Sequence, residues 1–124
     1  MELKLSDRSA ILLTRKGDVY QLGEYYRDGE RCFSDSPKKV DKLSSVKQIW
    51  SGAANFFALI ESKGLYGWGD NSEGQISAVA EKKLIQSPQS LRIAVSASDG
   101  VHVVAGSNTT FLLSGQKVDS PAPN

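Results

Sequence analysis

The 124-residue chain holds one cysteine, one histidine, one methionine and four prolines. These scarcities exclude whole classes of chemistry. A lone Cys32 cannot build an internal disulfide framework, and it suits a reducing compartment. With His102 as the only imidazole, the Cys and His clusters of zinc and iron sites are missing. Cys32 and His102 do not read as a nucleophile and base either, because no acid or oxyanion element marks them, so both read as structural. No apolar run nears the roughly 18 residues of a membrane span. The start, Met-Glu-Leu-Lys-Leu, lacks the charged opening and apolar core of a secretory signal. The expectation is a cytoplasmic or nuclear protein with no membrane partner. In that setting the formal glycosylation sequon Asn108-Thr109-Thr110 carries little weight.

An excess of charge is lacking too. Fifteen Lys and Arg stand against 14 acids, for a net charge of +1, which gives no general attraction to nucleic acid or anionic lipid. The local clusters, Lys38-Lys39 with Lys42 and Lys82-Lys83, read as solvated loops or edge strands rather than phosphate contacts. Nucleic acid is therefore not an expected partner. "GWGDNSEG", 67 to 74, departs from G-x-G-x-x-G, no helix pattern follows it, and no lysine-bearing phosphate loop occurs. "DNSEG" lacks the alternating ligands and distant Glu of an EF-hand, which makes Asp70 and Glu73 turn residues. No carboxylate pair is marked by its context. The chain is expected not to be an enzyme and to need no cofactor or metal.

What the chain does have is glycine, 11 in all, four of them interleaved with Tyr66 and Trp68 in "GLYGWGDNSEGQI", 64 to 76. That stretch belongs to a repeat. "FALIESKGLYGWG", 57 to 69, matches "AILLTRKGDVYQLG", 10 to 23, with an offset of 47 at the Lys-Gly and 46 at the final Gly. "VKQIWSGAANFFALIES", 46 to 62, set beside "GVHVVAGSNTTFLLSGQ", 100 to 116, puts Gly52 over Gly106 and Leu59 over Leu113, an offset of 54. "SPKKV" at 36 to 40 and "SPQSL" at 87 to 91 each precede the next apolar strand. A period near 50 with strand signals and no helical periodicity predicts an all-β fold, a β-propeller whose blades are four antiparallel strands. Residues 1–45 form the first, weaker repeat, 46–99 the second, 100–116 the start of a third and 117–124 a flexible tail. That is about two blades plus part of a third, an incomplete ring.

In the second repeat the strands are expected at Ser45 to Trp50, Phe56 to Ile60 and Gly64 to Trp68, with a weaker outer one near Lys83 to Gln86. "FFALI" is apolar at five successive positions, as in a strand covered on both faces. Gly64 closes a tight hairpin that needs positive φ, and Tyr66 and Trp68 then alternate onto one face. Gly67 and Gly69 fall opposite, where a missing side chain lets a neighbouring blade come close. Residues 70 to 74 should leave the strand as a surface loop. Trp50 and Trp68 read as packing between blades. Ser36, Ser87 and Ser120 precede prolines, as kinase targets do, but Ser36-Pro37 and Ser87-Pro88 read as turns entering a blade and Ser120-Pro121 as part of the tail.

The segment "VKQIWSGAANFFALIESKGLYGWGDNSEGQI", 46 to 76, resembles the repeat of the regulator of chromosome condensation family, with landmarks Ile49, Gly52, Ala58, Leu59, Gly64, Tyr66, Trp68, Gly69, Asn71, Gly74 and Gln75. The first copy keeps Leu12, Leu13, Gly17, Tyr20 and Gly23 and puts Leu5 at the early glycine position. The last keeps Gly106 and Leu113, then breaks off into "KVDSPAPN". Where the family repeat often has His three residues after the early glycine, this chain has Asn55 and Thr109. The matches run over residues 5 to 114.

The resemblance implies a ring of about seven blades and a non-enzymatic protein-protein interaction scaffold. Some members of the family catalyse nucleotide exchange on a Ran-type small GTPase or contact nucleosomes, and part of such an exchange factor is the alternative reading. No exchange element maps onto a position of this chain. Two blades leave apolar faces and strand edges open. The expected outcomes are a fragment or subunit of a larger propeller, self-association into a ring, completion of a partner's sheet, or rearrangement into a sandwich or small barrel. Candidate protein-contact residues are Tyr25, Tyr26 and Arg27 in "YYRDGER" and Asp70, Asn71 and Glu73 in "DNSEG", since both stretches follow the third strand of their copies and should emerge on one rim. The competing reading packs the tyrosines against the outer strand.

Overall fold

Short runs of β-branched and aromatic residues, punctuated by glycine turns, favour strands over helices. The computed structural model describes residues 1–27, 30–61, 63–71, 84–91, 93, 100–105 and 110–113. Strands β1 (Glu2–Leu5), β2 (Ser9–Leu13), β3 (Val19–Arg27) and β4 (Glu30–Lys39) form one antiparallel sheet in chain order. Strands β5 (Val46–Ser51), β6 (Asn55–Ile60), β7 (Gly64–Asp70) and β8 (Leu84–Ser90) form a second sheet in the same manner. A third, two-stranded sheet pairs β9 (His102–Ala105) with β10 (Thr110–Leu113). The three sheets share no strand, so the described strands do not close into one barrel.

The first strands β1, β5 and β9 approach one another from sheet to sheet. Ser51 Oγ donates a hydrogen bond of 2.6 Å to the carbonyl of Leu5, and Asp7 N–H donates to Ala53 O at 2.9 Å. On the opposite face of the second sheet, a Cβ added to Gly52 would stand 2.8 Å from the Cβ of Ala105 in β9. The second sheet is thus covered on both faces, as "FFALI" requires, and all six residues of β6 are buried. Phe57, Leu59 and Leu65 are the centre of the core. Each such side chain contributes about 1.5–3 kcal/mol by leaving water. In β2, by contrast, burial alternates, with Ile11 and Leu13 buried toward the second sheet and Leu12 half-exposed on the other side.

Matching backbone hydrogen bonds recur in the two sheets. Glu24 N–H donates to Arg8 O at 3.0 Å and Asp70 N–H to Ala54 O at 2.9 Å; Val40 N–H donates to Val19 O at 2.8 Å and Leu91 N–H to Leu65 O at 2.9 Å. A third pair corrects the alignment of the first copy. Ser6 N–H bonds to Ser9 O as Gly52 N–H bonds to Asn55 O, both at 2.8 Å, so Ser6 and not Leu5 holds the early glycine position. Leu5 pairs with Ala10 inside the ladder, as Ser51 pairs with Phe56.

Gly17 and Gly64 turn the second hairpins at φ of 89° and 95°, in the left-handed region expected of Gly64. The reason for Gly69 differs from the expectation. A Cβ there would lie 2.5 Å from Ala54 O, in its own sheet rather than a neighbour's, and its φ is 111°. Gly23 meets Arg8 O at 2.6 Å in the same way.

Ser36-Pro37 and Ser87-Pro88 lie inside the outer strands, not in turns. In β4 the residues Asp35 to Pro37 fall between the pairs Gly23↔Ser34 and Gln21↔Lys38, and in β8 the residues Gln86 to Pro88 fall between Gly69↔Ile85 and Gly67↔Gln89. Proline has no N–H to give a ladder, and an irregular stretch of an edge strand demands none.

Candidate functional site

The loop β1–β2, the loop β5–β6 and the ends of β3 and β7 surround a cleft of about 420 Å³ between the rims of the first two sheets. Its floor is aromatic. Trp68 and Phe56 pack with ring centroids 5.7 Å apart and planes tilted by 39°, and the indole Nε1–H donates to Gln21 Oε1 across the sheets at 3.1 Å. Trp68 therefore packs between blades as expected, and Trp50 is buried too. Charged groups crown the cleft: Asp7, Arg8, Glu24, Arg31 and Asp70. Arg31 Nε pairs with Glu24 Oε2 at 2.8 Å, but the arginine side chain is 63% exposed, so the pair fixes geometry more than it stabilises. Asn55 stands behind this wall. Its Nδ2 donates to Asp70 O at 3.4 Å while its buried Oδ1 has no partner among the described residues.

Tyr25 and Asp70, from the two stretches singled out in the sequence, line this one cleft. Tyr25, Tyr26 and Arg27 do not follow the third strand. They continue it, pairing with Cys32, Arg31 and Glu30 in a hairpin that carries the first sheet beyond Gly23. Two tyrosines opposite Cys32 and Arg31 suit a strand pair, and Asp28-Gly29 between Arg27 and Glu30 is the sequence signature of a two-residue hairpin connection. Lys38 Nζ stands 5.2 Å above the Tyr25 ring, which joins that tyrosine to the outer strand. Arg27 is exposed near the hairpin end and borders a second cleft with Tyr25. Asn71 is buried at 4% exposure, unlike a residue of a surface loop. Glu73, Gly74, Gln75 and Gly106 lie outside the described residues.

Sequence reasoning missed Arg8, Glu24 and Arg31. A signal for Arg8 existed, because Asp7-Arg8 occupies the place of Ala53-Ala54 in the other copy, and a charged pair replacing two alanines at one point of a repeat marks a local difference in surface. Cys32 sits in β4 and His102 in β9, on different sheets. Among the described residues no three His, Cys, Asp or Glu gather as metal ligands, and no helix is long and apolar enough to cross a membrane.

Successive four-stranded sheets in chain order, approaching through their first strands and joined by clefts at the rim, define a segment of a β-propeller. Its relatives in structure are propellers of the RCC1 type. Human WBSCR16 superposes with a TM-score of 0.68 at 23% identity, over 93% of this chain and 30% of that one. Yeast RCC1 (Prp20), in its crystal structure bound to Kap60, gives a TM-score of 0.72 at 24% identity, over 92% of this chain and 27% of that one. Prp20p from Saccharomyces cerevisiae, whose structure was described with its binding properties to Gsp1p and histones, gives 0.68 at 16% identity, over 96% and 31%. No family model matches the sequence. The fold is RCC1-like, as the repeat implied, and the chain spans less than a third of the length of each of these proteins.

Proposed function

We propose that the chain is a non-enzymatic protein-interaction scaffold, a segment of an RCC1-like propeller that docks further blades at its end faces and a protein partner at its rim. One observation carries this reading: the outer face of the first sheet is apolar and open. Leu3 is 56% and Leu5 66% exposed there, beside half-buried Leu12, whereas Phe56, Ala58 and Ile60 on the same face of the second sheet are buried by the first. Val104, 53% exposed in β9, gives the other end a similar character. An apolar sheet face of this kind is stabilised by another blade.

At the rim, Tyr25, Tyr26, Arg27 and Asp70 form the proposed contact, with Glu73 close by in sequence, while Asn71 is buried and stands out of a partner's reach. The likeness to Prp20p, studied for binding to Gsp1p and histones, supports a Ran-type small GTPase as the partner class, in the nucleus or cytoplasm.

The test is the mass of the purified chain in solution by light scattering during size-exclusion chromatography. The expected result is self-association, reduced by the double substitution Leu3→Lys and Leu5→Lys without loss of the far-ultraviolet circular dichroism of the sheets. A folded monomer that binds no hydrophobic dye would overturn the open-face reading. Tyr25→Ala with Arg27→Ala should weaken capture of a nucleotide-free small GTPase about tenfold, the scale of an interface hot spot.

A further inference from the structure

A second cleft, of about 310 Å³, runs between the outer strands of the first two sheets, away from the open end faces. One wall is the end of β4 with Lys38, Lys39 and Val40; the other is Gln86, Ser87 and Pro88 of β8; Tyr25 and Trp68 lie in its floor. Arg27 borders one part of it, and Lys42 reaches across from the segment after β4 to place its Nζ 3.5 Å from Ser87 Oγ. Four cations therefore meet here in a chain whose net charge is only +1. Against them stand Asp41 in the lining and Asp18, which pairs with Lys39 at 3.7 Å. Lys38 rests over the Tyr25 ring, and among the described residues neither Lys38 nor Lys42 has a carboxylate at ion-pair distance.

Lys42 and Ser45 both hold a left-handed φ, of 69° and 56°, in the connection from β4 to β5, and from this turn the Lys42 ammonium spans the two sheets. The irregular, proline-bearing stretches of β4 and β8 also interrupt the strand edges beside the cleft, so recognition here falls to side chains and not to an added strand.

We infer that this outer cleft binds an extended acidic peptide segment of a protein partner, with Lys38, Lys42 and Arg27 meeting its carboxylates and half-buried Tyr25 and Val40 its apolar side chains. Lysines held at the mouth of a groove with an aromatic floor attract carboxylates while apolar contacts fix the register. A nucleic acid strand would meet the same cations, but the basic surface is one short groove and does not continue as a track along the chain. The inference rests on the reading of the chain as a binding module, and its test turns on Lys38 and Lys42, which neither the end-face test nor the rim substitutions touch. Either can fail alone.

The experiment measures fluorescence anisotropy of a labelled peptide of alternating Glu and Leu, titrated with the full 124-residue chain at low and at physiological salt. The same peptide with Gln for Glu and an oligothymidylate of equal length are the comparisons. The Glu peptide should bind, more weakly as salt rises, and the Gln peptide should not. Lys38→Glu with Lys42→Glu should weaken binding about tenfold or more, Lys38→Arg with Lys42→Arg should retain it, and Arg31→Glu in the first cleft should leave it unchanged. Circular dichroism of each variant separates lost binding from lost fold. No binding by the Glu peptide, equal binding by the charge-reversed variant, or tighter binding of the oligothymidylate would each overturn the proposal.

Discussion

Trp68 carries two kinds of contact with different costs. Its ring fills the space between the first two sheets against Phe56, and its Nε1–H satisfies Gln21 Oε1. Trp68→Phe keeps most of the volume and leaves the amide oxygen short of a donor, so unfolding in urea should show a loss of about 1–2 kcal/mol. Trp68→Ala removes both and should cost about 3–5 kcal/mol. A sharper test concerns Gly69. Alanine there must adopt a φ of 111° and place its Cβ 2.5 Å from Ala54 O, against backbone that cannot swing aside. The Gly69→Ala chain should lose at least about 1–3 kcal/mol in the same assay, and an unchanged midpoint would contradict the assigned geometry. The sequence correctly marked Gly69 as special but for a partner in the next blade, because a glycine spacing shows only that a side chain is unwelcome. What stands in its place is a tertiary fact.

Among the elements, β6 and β2 separate what was legible from what was not. Five consecutive apolar residues can mean only cover on both sides, and β6 is buried throughout. β2 reads almost as apolar, yet Leu12 stays half-exposed, since cover depends on a neighbouring sheet that no local pattern reveals. Leu59→Ala should cost about 2–5 kcal/mol and Leu12→Ala distinctly less, as read from denaturant midpoints. Amide exchange should follow the same order, slowest in β6 and fastest along β1 and β4. The outer strands were the hardest to read. Pro37 and Pro88 look like turn residues, and the tyrosine hairpin looks like a loop, because an edge strand tolerates a missing N–H and takes its register from its partner. The candidate site was half legible for a similar reason. Tyr25 and Asp70 stand out by type and position, while Glu24 and Arg31 matter only once the hairpin sets them side by side.

At the scale of the whole molecule, the open faces set its behaviour in solution. Leu3 and Leu5 at one end and Val104 at the other leave the described sheets without cover on their outer sides. Raising the concentration should therefore raise the unfolding temperature of the chain by mass action, and scans at two concentrations a hundredfold apart should separate visibly. Coincident scans would mean that the faces remain unpaired.

The matching hydrogen bonds of the two sheets have a mechanical consequence. Val46 N–H bonds to Gly17 O at 3.0 Å, so the hairpin of one blade is clamped to the first strand of the next, and each blade repeats its own internal ties. Load applied at the two ends must break one such set before it reaches another. In an optical trap the chain should lengthen blade by blade, in steps of about 150 to 180 Å as repeats of some 45 and 54 residues straighten, rather than unravelling strand by strand.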